Sequence, residues 1–240
     1  MKNRMAVLQT PGLAQLVERD VPEPGATQVV IAIKACIICG SDLHIYKGKH
    51  PSAPLPVSLG HELAGDVIRI GSKVNSVRTG DRVTVEPVIA CGACPSCQRG
   101  EYGYCDNLSY HYRQGQGAMA DYFVVDQRYV YKLPVGMSYE AGALIEPLAV
   151  AVHAIKRAKI GVGDKVAIIG AGPIGILVSA ACKAAGAREI IVADIADVRL
   201  EMAAAMGGDQ DGQFVARISG GCGSPVDGRT WHRQILRVCW

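Results

Sequence analysis

Residues 165–195 read KVAIIGAGPIGILVSAACKAAGAREIIVADI, and this stretch decides the fold. It opens with an apolar, β-branched run, turns on glycines, continues with helical character to Gly186, and closes with a second β-branched run, EIIVAD. Strand, glycine turn, helix and strand within about thirty residues predict one βαβ unit, with its two strands parallel. The turn, Gly170-Ala171-Gly172-Pro173-Ile174-Gly175, fits G-x-G-x-x-G, and Asp194 stands twenty-four residues on from Gly170, where the second strand ends. In such a motif the first glycine permits the tight turn, the second lets backbone approach a pyrophosphate, and the third allows close helix–strand packing. The pyrophosphate sits on the helix N-terminus, where free N–H groups and the dipole favour an anion. Asp194 is expected to accept hydrogen bonds from the ribose hydroxyls and to repel a 2′-phosphate, which favours NAD over NADP.

Outward from this unit the pattern changes on both sides. Residues 198–208 predict a further helix, stopped by Gly207 and Gly208. Upstream, residues 138–158 (SYEAGALIEPLAVAVHAIKRA) are Ala-rich with apolar positions at helical spacing; Ser138 reads as an N-cap and Pro147 as a break. The first 135 residues alternate short Val-, Ile- and Tyr-rich runs (AVLQ, VVIAIKA, GDVIRIG, DRVTVEP, ADYFVV, YVYKL) with turn punctuation, and predict a mostly β domain. Hydrophobic residues make up 49% of the 240 and charged ones 20%, which excludes a disordered chain. A net charge of +3 with no basic block argues against nucleic-acid binding. The N-terminus lacks a signal-peptide pattern, and the longest uncharged run is broken by glycines and a proline, so no membrane partner is expected and a cytoplasmic location is.

Nine cysteines in such a chain read as metal ligands before disulfides. Cys91, Cys94, Cys97 and Cys105 lie within fifteen residues and supply four thiolates, enough to close a tetrahedral zinc shell and so to make a structural site. Cys39 in ICGSDLH and His61 in LGHELAG both stand beside glycines, with Glu62 next to the histidine. Glu146 falls in the apolar stretch LIEPLAV, where an unpaired carboxylate is costly to bury and a metal would relieve that cost.

Taken together, CGSDLH, GHELAGDVIRIGS, GDRV, CGACPSCQRGEYGYC, EPLAVAVHA and IIGAGPIG resemble, in this order over residues 1 to about 207, the zinc-dependent medium-chain alcohol and polyol dehydrogenases. The glutamate of EPLAV is similar to the sorbitol and threonine dehydrogenase branches. The resemblance implies an α/β plus β architecture: a GroES-like, mostly β catalytic domain (1–150, with a structural zinc lobe at 91–105), then an incomplete Rossmann domain (151–207) and an atypical tail (208–240). It implies two zinc ions per chain and NAD, with a catalytic zinc in the cleft between the domains, held by Cys39, His61 and a carboxylate that is either Glu62 or Glu146. It places Ser41 and His44 in a proton relay and adds Pro173, Ile174 and Arg199 to the cofactor-binding residues. The implied reaction is hydride transfer from a secondary alcohol or polyol to NAD; family members usually form homodimers or homotetramers.

After Gly207 the composition shifts: residues 208–240 hold six glycines and four arginines but no lysine or glutamate, and both tryptophans lie in the last ten residues. This stretch does not read as βα units and resembles a frameshifted C-terminus. The expectation is therefore a dinucleotide sheet with an open edge. The alternative to an active dehydrogenase is a catalytically inactive zinc-binding fragment of one.

Overall fold

The computed structural model describes residues 1–50, 53–207, 213–217 and 235–237. The chain divides into two units, Met1–Glu146 and Pro147–Trp240, so the division falls slightly before the boundary at 150 read from the sequence. Among the described residues no helix is long and apolar enough to cross a membrane.

The first unit is built on strands β1 (Lys2–Thr10), β2 (Leu13–Asp20), β3 (Gln28–Ile37), β4 (Val57–Ser58) and β5 (Glu62–Ile70). They are followed by β6 (Arg82–Val85), β7 (Val88–Ile89), β8 (Ser109–Tyr110), β9 (Tyr122–Asp126) and β10 (Val130–Lys132). Helices α1 (Gly40–Tyr46), α2 (Pro95–Gln98) and α3 (Tyr139–Ala143) interrupt or follow them. The main sheet runs β10-β6-β5-β3-β9 and is antiparallel throughout. Its faces follow from strand alternation. On β3, Val29 and Ile31 point into one core with Leu63, Val67, Val83, Phe123 and Val125, while Val30 between them enters a second core with Val21 and Val124. Burying each such side chain fully contributes roughly 1.5–3 kcal/mol. A second sheet, β2-β1-β4, flanks it, and β7 pairs with β8 as a two-stranded ribbon. Strand β2 escaped the sequence reading because LAQLVERD is almost wholly exposed and carries little apolar pattern.

Ser138 caps α3 as expected, accepting a hydrogen bond from the Ala141 N–H at 3.1 Å. The break expected at Pro147 falls instead at Leu144: α4 spans Ile145–Arg157 and carries Pro147 in its first turn. That position costs nothing, because a first-turn N–H has no partner within the helix.

The second unit continues with β11 (Lys165–Ile169), α5 (Pro173–Ala184), β12 (Glu189–Asp194) and α6 (Asp197–Gly207). Two further strands, β13 (Gln213–Arg217) and β14 (Ile235–Arg237), complete a parallel sheet in the order β13-β12-β11-β14. In sequence order that is 3-2-1-4, the arrangement in which a doubly wound dinucleotide fold begins. The tail, which does not read as βα units, thus adds one strand on each side of the β12–β11 pair, and with four strands among the described residues the doubly wound domain is incomplete, as expected. QFVAR and ILR are short β-favouring runs whose signal was swamped by the surrounding glycines. The core of the unit gathers Val166, Ile168, Ile190 and Val192 from the strands with Val178 and Cys182 from α5 and Leu200 and Ala203 from α6. Residues 208–212, 218–234 and 238–240, also assigned to the tail, lie outside the described residues.

Candidate metal centres and anion cradle

The register of β3 on β5 creates the first candidate centre. Ile37 pairs with Glu62 and Cys36 with Leu63, so the end of one strand meets the start of the other. Cys39 leaves β3 as the N-cap of α1, and His61 enters β5 after Gly60, whose φ of +88° suits glycine. A Cβ on Gly60 would also press on the Met119 backbone and the Cys36 sulfur. The ligand atoms of Cys39, His61 and Glu62 lie within 4.8 Å of one another. Glu146, the other carboxylate the sequence offered, is not in that group. Ser41 and His44 stand on α1, the first partly buried and the second exposed, and neither joins the cluster.

Asp42, which the sequence reading passed over, organises the centre. It is 3% exposed. Its Oδ2 accepts the Cys39 N–H at 2.9 Å and its Oδ1 accepts the Gly60 N–H at 3.0 Å, while His61 Nδ1 lies 3.7 Å from Oδ1. One carboxylate thus ties the two ligand-bearing turns together. The cue in the sequence was an acid at the N3 position of a helix that starts after Cys39, half of a capping box.

The electrostatics of this cluster favour a cation. Burial works against a charged His61, but hydrogen bonding and charge from Asp42 and Cys39 outweigh it and raise the imidazole to about 11. Burial raises Glu62, with His61 and Cys39 pulling the other way. Glu146 is raised to about 6 by burial, opposed by His61 and reinforced by Glu62 and Glu86. Glu62 is 3% exposed, and among the described residues no lysine or arginine pairs with it. A soft sulfur, an imidazole and a buried carboxylate are the donor set of an open zinc site, in which a dication takes the place of the proton held by the imidazole.

The second centre lies between β7 and β8. The sulfurs of Cys91, Cys94, Cys97 and Cys105 lie within 4.8 Å of one another. Cys94 caps α2, and Pro95 occupies its first position. Backbone N–H groups of Cys91 and Asn107 donate to the Cys105 sulfur at 3.3 Å, and that of Cys94 to the Cys91 sulfur at 3.4 Å. Donation from the Ala93 and Cys94 amides, with Cys105 adding to it, lowers Cys91 to about 6. Desolvation, then the neighbouring sulfurs, push Cys97 up to about 12. A zinc ion would accept all four sulfurs as donors and offset their mutual crowding.

The third feature is the glycine turn after β11. Gly170 adopts φ +108°, and a Cβ on Gly175 would collide with the Gly170 carbonyl, so both are glycine for reasons internal to the fold. Gly172 is different. Its φ of −70° suits any residue and a Cβ there would meet nothing within 4 Å, so it leaves open space at the N-terminus of α5. That is the cradle a diphosphate needs. Asp194 is 6% exposed and is held by backbone: its Oδ2 accepts the Ala171 N–H at 2.7 Å and its Oδ1 the Ala196 N–H at 3.0 Å. Arg199 Nη1 lies 3.6 Å from Oδ2. Burial opposes ionisation of Asp194, but these amides and Arg199 hold it below the usual carboxylate range.

Residues 25–135 match the alcohol dehydrogenase GroES-like domain family. The motifs and folds of both units are, in addition, similar to those of zinc-type polyol and threonine dehydrogenases. It is 40% identical over 212 residues to sorbitol dehydrogenase of Bombyx mori, covering 87% of this chain and 61% of that protein. It is 41% identical over 210 residues to L-threonine 3-dehydrogenase of Pyrococcus horikoshii, covering 85% and 60%. Among solved structures it is similar to 2R,3R-butanediol dehydrogenase from Bacillus subtilis, with TM-score 0.82, 33% identity, and coverage of 92% and 65%. An Escherichia coli oxidoreductase/dehydrogenase of unknown specificity gives TM-score 0.83, 37% identity, and coverage of 90% and 62%. The chain spans about 61% of the length of these curated relatives.

Proposed function

We propose that this chain is a zinc-dependent oxidoreductase that transfers a hydride from a secondary alcohol or polyol to NAD. The observation that carries the reading is the grouping of Cys39, His61 and Glu62 at the meeting ends of β3 and β5, a donor set of three that leaves a fourth position for substrate. Zinc bound there would act as a Lewis acid toward a substrate hydroxyl, while NAD would accept the hydride. The chain's own residues do the remaining work. Cys39, His61 and Glu62 hold the metal, and Asp42 fixes the turns from which the first two project. Ser41 and His44, on the helix that Cys39 caps, carry the hydroxyl proton toward solvent, which the exposure of His44 supports. Gly172, Pro173, Ile174 and Gly175 open α5 toward the diphosphate, and Asp194 with Arg199 stands at the adenosine side. The cysteine lobe takes a second, structural zinc.

Metal analysis and a polyol panel test this together. The purified chain should carry two zinc ions and reduce NAD with at least one alcohol of the panel. Cys94→Ser should lose the lobe metal and destabilise the first unit, while His61→Ala should lose the other metal and leave the fold intact. A folded chain that binds no zinc at Cys39 and His61 would overturn the reading.

A further inference from the structure

We propose that Asp194 is a positioning residue for the diphosphate cradle, acting through the Ala171 amide and not only through a ribose. The inference rests on the dinucleotide reading above and deepens it. A carboxylate at this place, read from sequence, has one job, to meet the ribose hydroxyls. In the structure it already has another. The bond from the Ala171 N–H to Asp194 Oδ2, 2.7 Å long, is buried, and it joins the end of β12 to the middle of the glycine turn. Beside it the Gly170 N–H donates to the Ala193 carbonyl, also at 2.7 Å. The parallel pairing of Ile169 with Ala193 brings both pairs within reach.

Besides this bond, the turn is held by the Gly170 amide and by the buried Ala171 methyl, with Ile174 packed against the same core. Gly172 makes no packing contact where a side chain would stand, and Gly170 brings no side chain at all. Ala171 spends its N–H on Asp194, Pro173 has none, and the first bond within α5 runs from Ile176 N–H to Gly172 O. Ile174 and Gly175 therefore present the N–H groups of the helix end, and their aim depends on a turn fixed from one side by Asp194. A hydrogen bond to an ionised acceptor is about twice as strong as one between neutral groups, so a single carboxylate suffices as a tether. Arg199, 3.6 Å away, keeps that carboxylate ionised and in place.

If this is right, removing the carboxylate weakens any ligand that uses the cradle, including one with no ribose hydroxyls to offer. Calorimetric titration of the whole chain with ADP and with 2′,3′-dideoxy-ADP separates the two roles. Asp194→Ala should weaken 2′,3′-dideoxy-ADP about 10-fold and ADP by at least as much. Asp194→Asn keeps an oxygen for the Ala171 amide and should recover part of the loss for both ligands. A loss seen with ADP that vanishes with 2′,3′-dideoxy-ADP would overturn the proposal, because Asp194 would then act through the ribose alone. Wild-type protein that binds neither ADP nor NAD would overturn the dinucleotide reading and this proposal with it. Should both variants misfold, amide exchange in the ligand-free wild type decides. Slow exchange at Ala171 is expected, and exchange at the rate of an open loop would refute the tether.

Discussion

Replacing Asp42 with alanine isolates what holds the open metal centre together. The side chain is 3% exposed and accepts two backbone amides, Cys39 at 2.9 Å and Gly60 at 3.0 Å. Each buried donor left without an acceptor costs about 1–3 kcal/mol. Cys39 is only half-buried and water can reach its amide, so the sum should lie near the lower end, roughly 3 kcal/mol. The metal is affected separately. At 3.7 Å His61 Nδ1 feels Asp42 through charge, and the turns carrying Cys39 and His61 lose their common anchor. Loss of such a supporting group typically weakens metal binding 10- to 100-fold. Zinc competition with a chromophoric chelator should show that loss at one site, with the four-cysteine lobe still loaded, alongside a lowered unfolding midpoint. Asp42→Asn, which keeps one acceptor oxygen, should fall between the two proteins in both measurements. If Asp42→Ala lowers stability but leaves zinc affinity within twofold, Asp42 only supports the fold and its place in the centre is refuted.

Two further outcomes follow from buried or crowded groups. His111 is 7% exposed, lies edge-on to Phe123 and Tyr129, and among the described residues has no partner for Nε2; burial lowers its pKa from 6.5 to about 4, against a hydrogen bond that the ring donates to the Glu86 carbonyl. Below pH 6.5 the unfolded chain takes up the proton first, so stability falls as pH drops from 6.5 to 4, by about 3 kcal/mol for this group. Denaturant titrations across that window should show a shallower slope for His111→Phe than for the wild type, and equal slopes would refute the assignment. In the second unit, Gly175→Ala should cost about 1–3 kcal/mol or more because its Cβ meets the Gly170 carbonyl. Gly172→Ala should leave the melting temperature unchanged yet weaken ADP, and a variant that binds ADP normally would show that the open space at Gly172 is not ligand space.

The parts of the fold legible in the sequence were those with strong local periodicity. The βαβ stretch, Ser138 as a cap and the β-branched strands of the main sheet declare themselves through alternation or helical spacing within a few residues. Strand β2 did not, because it lies at the edge of its sheet and its side chains are mostly solvated, so no apolar period marks it. β13 and β14 were hidden because they are short runs among glycines, and β14 pairs with β11, a strand far from it in sequence. α1 read as a glycine-rich turn because its only helix signal is the cap at Cys39 and the acid at Asp42.

The candidate site divides along the same line, with a different consequence. Ligand types survive a reading of the sequence, since sulfur, imidazole and carboxylate are rare beside glycines and stand out there. Partners do not survive it, because they are set by contacts between distant turns. Asp42 holds Gly60, eighteen residues away, and Asp194 holds Ala171 across twenty-three. In both cases a carboxylate, one passed over in the sequence and one read as a ribose contact, proves to be bonded to backbone on a neighbouring segment. These two acids each tie a glycine-bearing turn to a neighbouring segment, adding to whatever apolar packing the turn already has. Chemistry borne on such glycine-rich turns therefore depends on these backbone tethers as well as on direct contacts with the ligand. A variant that keeps every ligand but loses Asp42 or Asp194 tests that dependence more directly than removing a ligand does.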